Sequence, residues 1–167
     1  MAPKMIYGYD LDGTLCIGSP KRSKSFMLQN GAERAAHRDV LIKHYATAER
    51  SPLSPIGRYV VISGRSVRYR EQTMAWLEAN GLHPLAVELN SGERTFESML
   101  RHKIESCKLH HVGLFFEDDT KIVREMRKAG INCVRVEKYL GKSRVSFTGM
   151  LDPGMAAISG RSAAVRI

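Results

Sequence analysis

The stretch "YGYDLDGTLC", residues 7 to 16, ends a short apolar run in two aspartates one leucine apart and then turns at Gly13-Thr14. Two carboxylates that close repel each other, and the usual holders are a cation, backbone amides or a shared proton. Read as the C-terminal end of a strand, this stretch delivers Asp10 and Asp12 to a loop.

Working outward, five apolar, β-branched or aromatic runs read as strands: Met5 to Tyr9, Tyr59 to Ile62, Leu85 to Leu89, Val112 to Phe116 and Ile131 to Val136. Helical patterns separate them. Residues 66–82 place Val67, Met74 and Leu77 on one face with Asn80-Gly81 as a stop, and residues 119–130 place Ile122, Met126 and Ala129 on one stripe closed by Gly130. Further helices are expected from Gly31 to Glu49 and from about Thr95 to Leu109, with the Pro-punctuated "RSPLSPIGR" leading into the second strand. Alternation of strand and helix predicts an α/β fold, a parallel sheet covered by helices on both faces.

A chain of 167 residues is one ordinary domain. We place that domain at residues 1–140, and the Gly-, Ser- and Ala-rich residues 141–167 read as an irregular basic tail. With 43% hydrophobic and 26% charged residues the composition is globular. No run approaches the roughly 20 apolar residues of a membrane span, and the N-terminus lacks the sustained apolar core of a secretory signal. A cytoplasmic location is expected, with no membrane partner. Cys16, Cys107 and Cys133 are odd in number and widely spaced, which argues against a disulfide framework or a zinc ribbon and for small core residues. A formal charge of +9 favours phosphorylated or polyanionic partners.

In an open parallel sheet all C-terminal strand ends share one edge, where ligands bind. That edge should collect Asp10 and Asp12 from the first strand, Ser63-Gly64-Arg65 from the second and Glu117-Asp118-Asp119 from the fourth. Gathered carboxylates suit Mg²⁺, which takes carboxylates, waters and a substrate phosphate. Asp10 is then the candidate nucleophile and Asp12 the candidate acid and base. Ser63 and the amide of Gly64 would bind a transferring phosphoryl group, with Gly13, Thr14 and Arg65 completing the phosphate cradle, and a lysine would stabilise its oxygens. Lys103 is the candidate, 14 residues before Glu117; Arg94, Arg101 and Lys108 are the alternatives.

Plainer readings compete at several positions. A calcium loop starting at Asp10 fails because its twelfth position is Lys21. Glu117-Asp118-Asp119 can also cap the helix that starts near Thr120. His110-His111 has no third ligand at metal spacing and reads as a solvated turn. His37 and His44, two helical turns apart, read as one exposed face, and Trp76 with Met74 as core or surface seam. The basic cluster "SPKRSK", residues 19–24, serves equally as a solvated loop or as a steering patch.

In their order, "DLDGT", "VVISGR", a lysine and "FFEDD" resemble the motifs of the haloacid dehalogenase-like (HAD) superfamily over roughly residues 5 to 137. The resemblance implies a three-layer α/β/α Rossmannoid fold with about five parallel strands and a Mg²⁺-dependent phosphatase. In it Asp10 is the nucleophile, Asp12 the acid and base, Ser63 the phosphoryl ligand and Lys103 the charge stabiliser. Asp10, Asp12, Asp118 and Glu117 are its implied metal ligands, with the choice among Glu117, Asp118 and Asp119 open. Residues 115–136 are also similar to the end of the phosphatase domain in polynucleotide kinase 3′-phosphatases and RNA-repair HAD domains. Too little chain separates the motifs for a large cap, so the cap is expected to be small or absent. By the resemblance, an open site implies a bulky substrate such as a nucleic-acid end. The alternatives are a mononucleotide or sugar-phosphate phosphatase and a non-catalytic module that binds phosphorylated ends.

Overall fold

The computed structural model describes residues 5–18, 31–93 and 95–136. The expected tail at 141–167, the basic cluster at 19–24 and Arg94 lie outside the described residues. Within them the chain runs β1 (Ile6–Tyr9), α1 (Gly31–Thr47), β2 (Arg58–Ser66), a single 3-10 turn (Val67–Tyr69), α2 (Arg70–Ala79), β3 (Val87–Asn90), α3 (Phe96–Leu109), β4 (Val112–Glu117), α4 (Thr120–Lys128) and β5 (Cys133–Arg135).

The strands form one five-stranded sheet in the order β3-β2-β1-β4-β5. Every neighbouring pair is parallel. Strand residues alternate between two cores, as period 2 requires. Val61 and Phe116 join Trp76 and Leu77 of α2 on one face. Val60, Ile62 and Phe115 join Cys107 of α3 and Ile122, Val123 and Met126 of α4 on the other. The chain is therefore α/β with helices on both faces, and the order reverses direction between β1 and β4, where parallel sheets open a crevice.

Several local expectations are corrected. Val67 and Met74 are exposed, while Leu77 is buried as expected and is joined by Thr73 and Trp76 of α2. Val67 belongs to the 3-10 turn, whose tighter winding breaks the phase of an ideal helix. Ala129 is exposed as the residue after α4, and Val123 takes its place on the stripe. β2 runs on to Ser66, so Ser63, Gly64 and Arg65 lie within the strand rather than just after it, with an irregular register against β3 between Ser63 and Ser66. The three cysteines are free and buried. Trp76 packs in the core and its Nε1 donates to the Ala48 carbonyl at 2.7 Å, which ties α2 to the end of α1.

Candidate active site

The first strand passes its ladder directly into the acidic loop: the Asp10 amide donates to the Phe116 carbonyl at 3.0 Å. Beyond it the amides of Thr14, Leu15 and Cys16 all converge on the Leu11 carbonyl at 2.9 to 3.1 Å. Gly13 sits at φ 86°, a left-handed backbone that costs a glycine nothing and lets the loop turn this sharply. Leu11 and Leu15 are fully buried and anchor the loop from below. Asp10 and Asp12 are thus presented on a rigid support.

Lys103 of α3 reaches this loop. Its neighbours Leu100, Ile104 and Cys107 face the core, so Lys103 lies on the inner stripe of the helix while Arg101 and Lys108 are exposed. The side chain is 3% exposed, with Nζ 2.9 Å from Asp10 Oδ1 and in contact with Glu117 Oε2. The charges of Asp10 and Glu117 raise its pKa above the ordinary lysine value, overcoming the opposite pull of burial. Glu117 ends β4, and its Oε1 accepts the Asp119 amide at 3.1 Å. Asp119 itself caps α4, accepting from the amides of Lys121 and Ile122.

Asp10, Glu117 and Asp118 are all buried, and one carboxylate oxygen from each lies within 4.8 Å of the others. Burial pushes the Asp10 and Glu117 carboxyls above the usual range; Lys103 opposes this, while the neighbouring carboxylates add to it. Among the described residues a single ammonium, that of Lys103, contacts this group of three buried acids. A compact, all-oxygen, electron-rich group of this kind fits a hard divalent cation such as Mg²⁺.

Asp12 is held differently. Arg65 Nε donates to its Oδ2 at 2.9 Å and Nη2 to its Oδ1 at 2.8 Å, a bidentate pair. The guanidinium is sealed from solvent, donates to Thr73 Oγ1 at 3.3 Å and lies 4.2 Å over the Tyr45 ring. Expected in the phosphate cradle, Arg65 is turned onto Asp12. His44 Nε2 lies 3.4 Å from Asp12 Oδ1, so the expectation of an exposed His37–His44 face is corrected at His44. Burial alone would raise the Asp12 pKa, but the hydrogen bonds and charges of His44 and Arg65 outweigh it and hold the carboxyl well below the usual range. Asp12, Cys16 and His44 also have ligand atoms within 4.8 Å of one another, but Arg65 Nη2 lies 3.4 Å from the Cys16 sulfur and fills that group with a cation already. The Asp12 carboxylate, expected among the metal ligands, faces this cluster.

Ser63 is buried at the same sheet edge, where its hydroxyl accepts the Arg65 amide at 3.3 Å. Gly64 lies so close to α3 that a Cβ there would strike the Met99 sulfur. The Thr14 hydroxyl is buried and makes no hydrogen bond among the described residues. His44, Tyr45 and Thr73 are the site residues that motif reading missed; the one signal for His44 was its place beside Leu41 and Tyr45, the two buried positions of α1.

No family model matches the chain. A protein of Bacillus subtilis (strain 168) named "Putative nucleotidase YqfW" is 27% identical over 110 residues, covering 66% of this chain. The chain spans about half, 51%, of the length of that curated relative. Two solved structures are similar in fold, each over 81% of this chain. The one titled "Structure of the Pnkp1/Rnl/Hen1 RNA repair complex" has a TM-score of 0.49 at 20% identity over 43% of the matched chain. A HAD-superfamily hydrolase, subfamily IA, variant 1, from Geobacter sulfurreducens PCA has a TM-score of 0.48 at 14% identity over 88% of its chain.

Proposed function

We propose that this chain is a Mg²⁺-dependent phosphomonoester hydrolase of the HAD type, acting on nucleotide phosphates and in particular on polynucleotide ends. The observation that carries the reading is the meeting of Asp10, Lys103, Glu117 and Asp118 where β1 and β4 end, with a nucleophile beside a buried cation and a carboxylate group suited to a metal. Asp10, Glu117 and Asp118 are the residues that would hold Mg²⁺, which supplies the positive charge that lets one anion approach another.

In the proposed reaction the Asp10 carboxylate attacks phosphorus and the bond from phosphorus to the ester oxygen breaks, leaving an aspartyl-phosphate. Asp12 gives the leaving oxygen its proton and takes one back from the water that attacks the phosphorus of the intermediate, releasing phosphate and regenerating Asp10. Arg65 and His44 favour ionised Asp12, so the second of these roles is the one the resting geometry favours. Lys103 keeps the Asp10 carboxylate oriented and offsets negative charge on the phosphoryl group, with Ser63 and the Gly64 amide as its further ligands.

The name of the Bacillus relative supports a nucleotide substrate. The charge of +9 and the likeness of residues 115–136 to end-processing phosphatases support a polynucleotide over a mononucleotide. Phosphate release with Mg²⁺ from an aryl phosphate, a mononucleotide and a 3′-phosphorylated oligonucleotide, with Asp10→Asn as the blank, tests both statements. Preference for the oligonucleotide that fades as salt rises is the expected result. Equal turnover of the mononucleotide moves the substrate to the metabolite class, and no release from any of them overturns the hydrolase reading.

A further inference from the structure

The Asp12 carboxylate is surrounded on three sides. Arg65 takes both oxygens from within the protein, the buried Cys16 sulfur lies 3.4 Å from Oδ1, and the His44 imidazole approaches the same oxygen from α1. Of these partners only His44 reaches solvent appreciably, its side chain 21% exposed against 0% for Arg65, and Asp12 itself is 17% exposed. His44 therefore stands at the partly exposed edge of the pair.

Its neighbour Tyr45 acts on the other member of the pair. The Tyr45 ring lies under the Arg65 guanidinium at 4.2 Å and meets Tyr69, which follows β2, edge to face at 5.0 Å. The His44 and Tyr45 rings are themselves 5.7 Å apart and tilted by 69°. Two consecutive residues in the last turns of α1 thus touch Asp12 and Arg65 separately, while Leu41 and Tyr45 fasten that part of the helix to the body. A histidine near a helix C-terminus also meets the helix dipole, but the dipole does not require Nε2 to lie at Asp12.

We infer that His44 is a positioning residue for Asp12: together with Tyr45 it makes the end of α1 a clamp that holds the Asp12–Arg65 pair in the observed arrangement. This rests on the hydrolase reading for its catalytic consequence and on geometry alone for its structural one. A carboxylate that serves both leaving group and water must keep its place through two steps, and displacements near 1 Å cost on the order of 100-fold in rate. Arg65 holds Asp12 from the buried side through its two-point contact, and His44 supplies the contact on the partly exposed side.

The test compares wild type, His44→Ala and His44→Gln in two measurements. Glutamine keeps a nitrogen donor at a reach close to Nε2, so it should restore what alanine removes. Turnover of a phosphomonoester with Mg²⁺ should show kcat lowered about 10-fold in His44→Ala, a part of the roughly 100-fold or more attached to an acid–base group itself, with KM within about twofold and recovery in His44→Gln. The Arg65 Nε proton, followed by ¹⁵N NMR, should exchange faster with water in His44→Ala and be protected again in His44→Gln. Unchanged protection in His44→Ala overturns the clamp whether or not the protein is an enzyme. Unchanged kcat beside an inactive Asp10→Asn overturns its catalytic part, whereas a wild type without turnover that still shows the exchange pattern overturns the hydrolase reading and leaves the clamp supported.

Discussion

Arg65 grips Asp12 through two parallel hydrogen bonds of 2.8 and 2.9 Å, with its guanidinium wholly buried beneath the carboxylate. The pair spans 53 residues of sequence and joins the loop after β1 to the end of β2. Replacing the guanidinium leaves Asp12, among the described residues, with the His44 imidazole and the Cys16 thiol. Arg65→Ala should therefore lower unfolding free energy by roughly 3 kcal/mol, the cost of stripping one partner from a buried ion pair, read by urea denaturation. Arg65→Lys should also lose activity, because an ammonium cannot make the two-point contact. Activity in Arg65→Lys equal to wild type would show that the contact contributes charge only.

Asp10→Asn keeps the shape of the side chain and removes the nucleophile. Phosphate release should fall by at least roughly 10³-fold, as when a nucleophile is deleted elsewhere, while the circular dichroism spectrum stays that of wild type. EDTA should abolish turnover reversibly, with activity regained on adding excess Mg²⁺. Turnover that survives the chelator would remove the metal from the proposed reaction.

Lys103 is the sole ammonium in contact with Asp10 and Glu117 among the described residues. Lys103→Met preserves length and removes the charge, leaving the two carboxylates buried side by side. We expect a loss of roughly 3 to 5 kcal/mol in unfolding free energy without metal, and a larger stabilisation by Mg²⁺ than wild type shows. A variant as stable as wild type without metal would mean that the acids are protonated in the resting protein.

The same cluster sets a pH dependence of stability. Asp10 and Glu117 have folded pKa values above the ordinary carboxylate range, so the folded state binds protons more tightly than the unfolded chain. Stability from these groups is present at acid pH and is lost as pH rises through their folded values. Asp12 has the opposite sign, but its depressed pKa contributes fully anywhere above about pH 5. Lys103, raised above an already high value, adds a constant across the same window. Without metal, Tm should fall between about pH 5 and pH 8, and saturating Mg²⁺ should flatten the slope. A Tm that rises across this window without metal would show that the two acids are not strained by their burial.

How much of this was readable in the chain follows from the range over which each signal acts. Strand ends announce themselves locally, through alternating apolar residues that stop at Asp10, near Ser63 and at Glu117. Strand–helix alternation and the single hand of crossovers make the sheet parallel, but the order β3-β2-β1-β4-β5 comes from the structure, because more than one doubly wound order obeys the same rules. Lys103 is picked out in the sequence only by lying 14 residues before Glu117, which leaves Arg101 and Lys108 open; the structure separates them by putting Lys103 on the buried stripe with Leu100, Ile104 and Cys107. Val67 was misplaced on α2 because one 3-10 turn changes the phase of everything before it, and no propensity marks that turn.

The amino-acid sequence by itself determined the α/β order of elements and which acids and hydroxyls the strands carry to one edge, because both rest on contacts within a few residues or on the regular hand of parallel connections. Only the tertiary structure decided that Arg65 faces Asp12, that His44 covers it, and that Tyr45 and Thr73 hold the guanidinium from other sides. Those meetings depend on how far α1 slides and rotates against α2. Packing of side chains remote in sequence sets that, and a shift of one helical residue would turn His44 about 100° away from the aspartate.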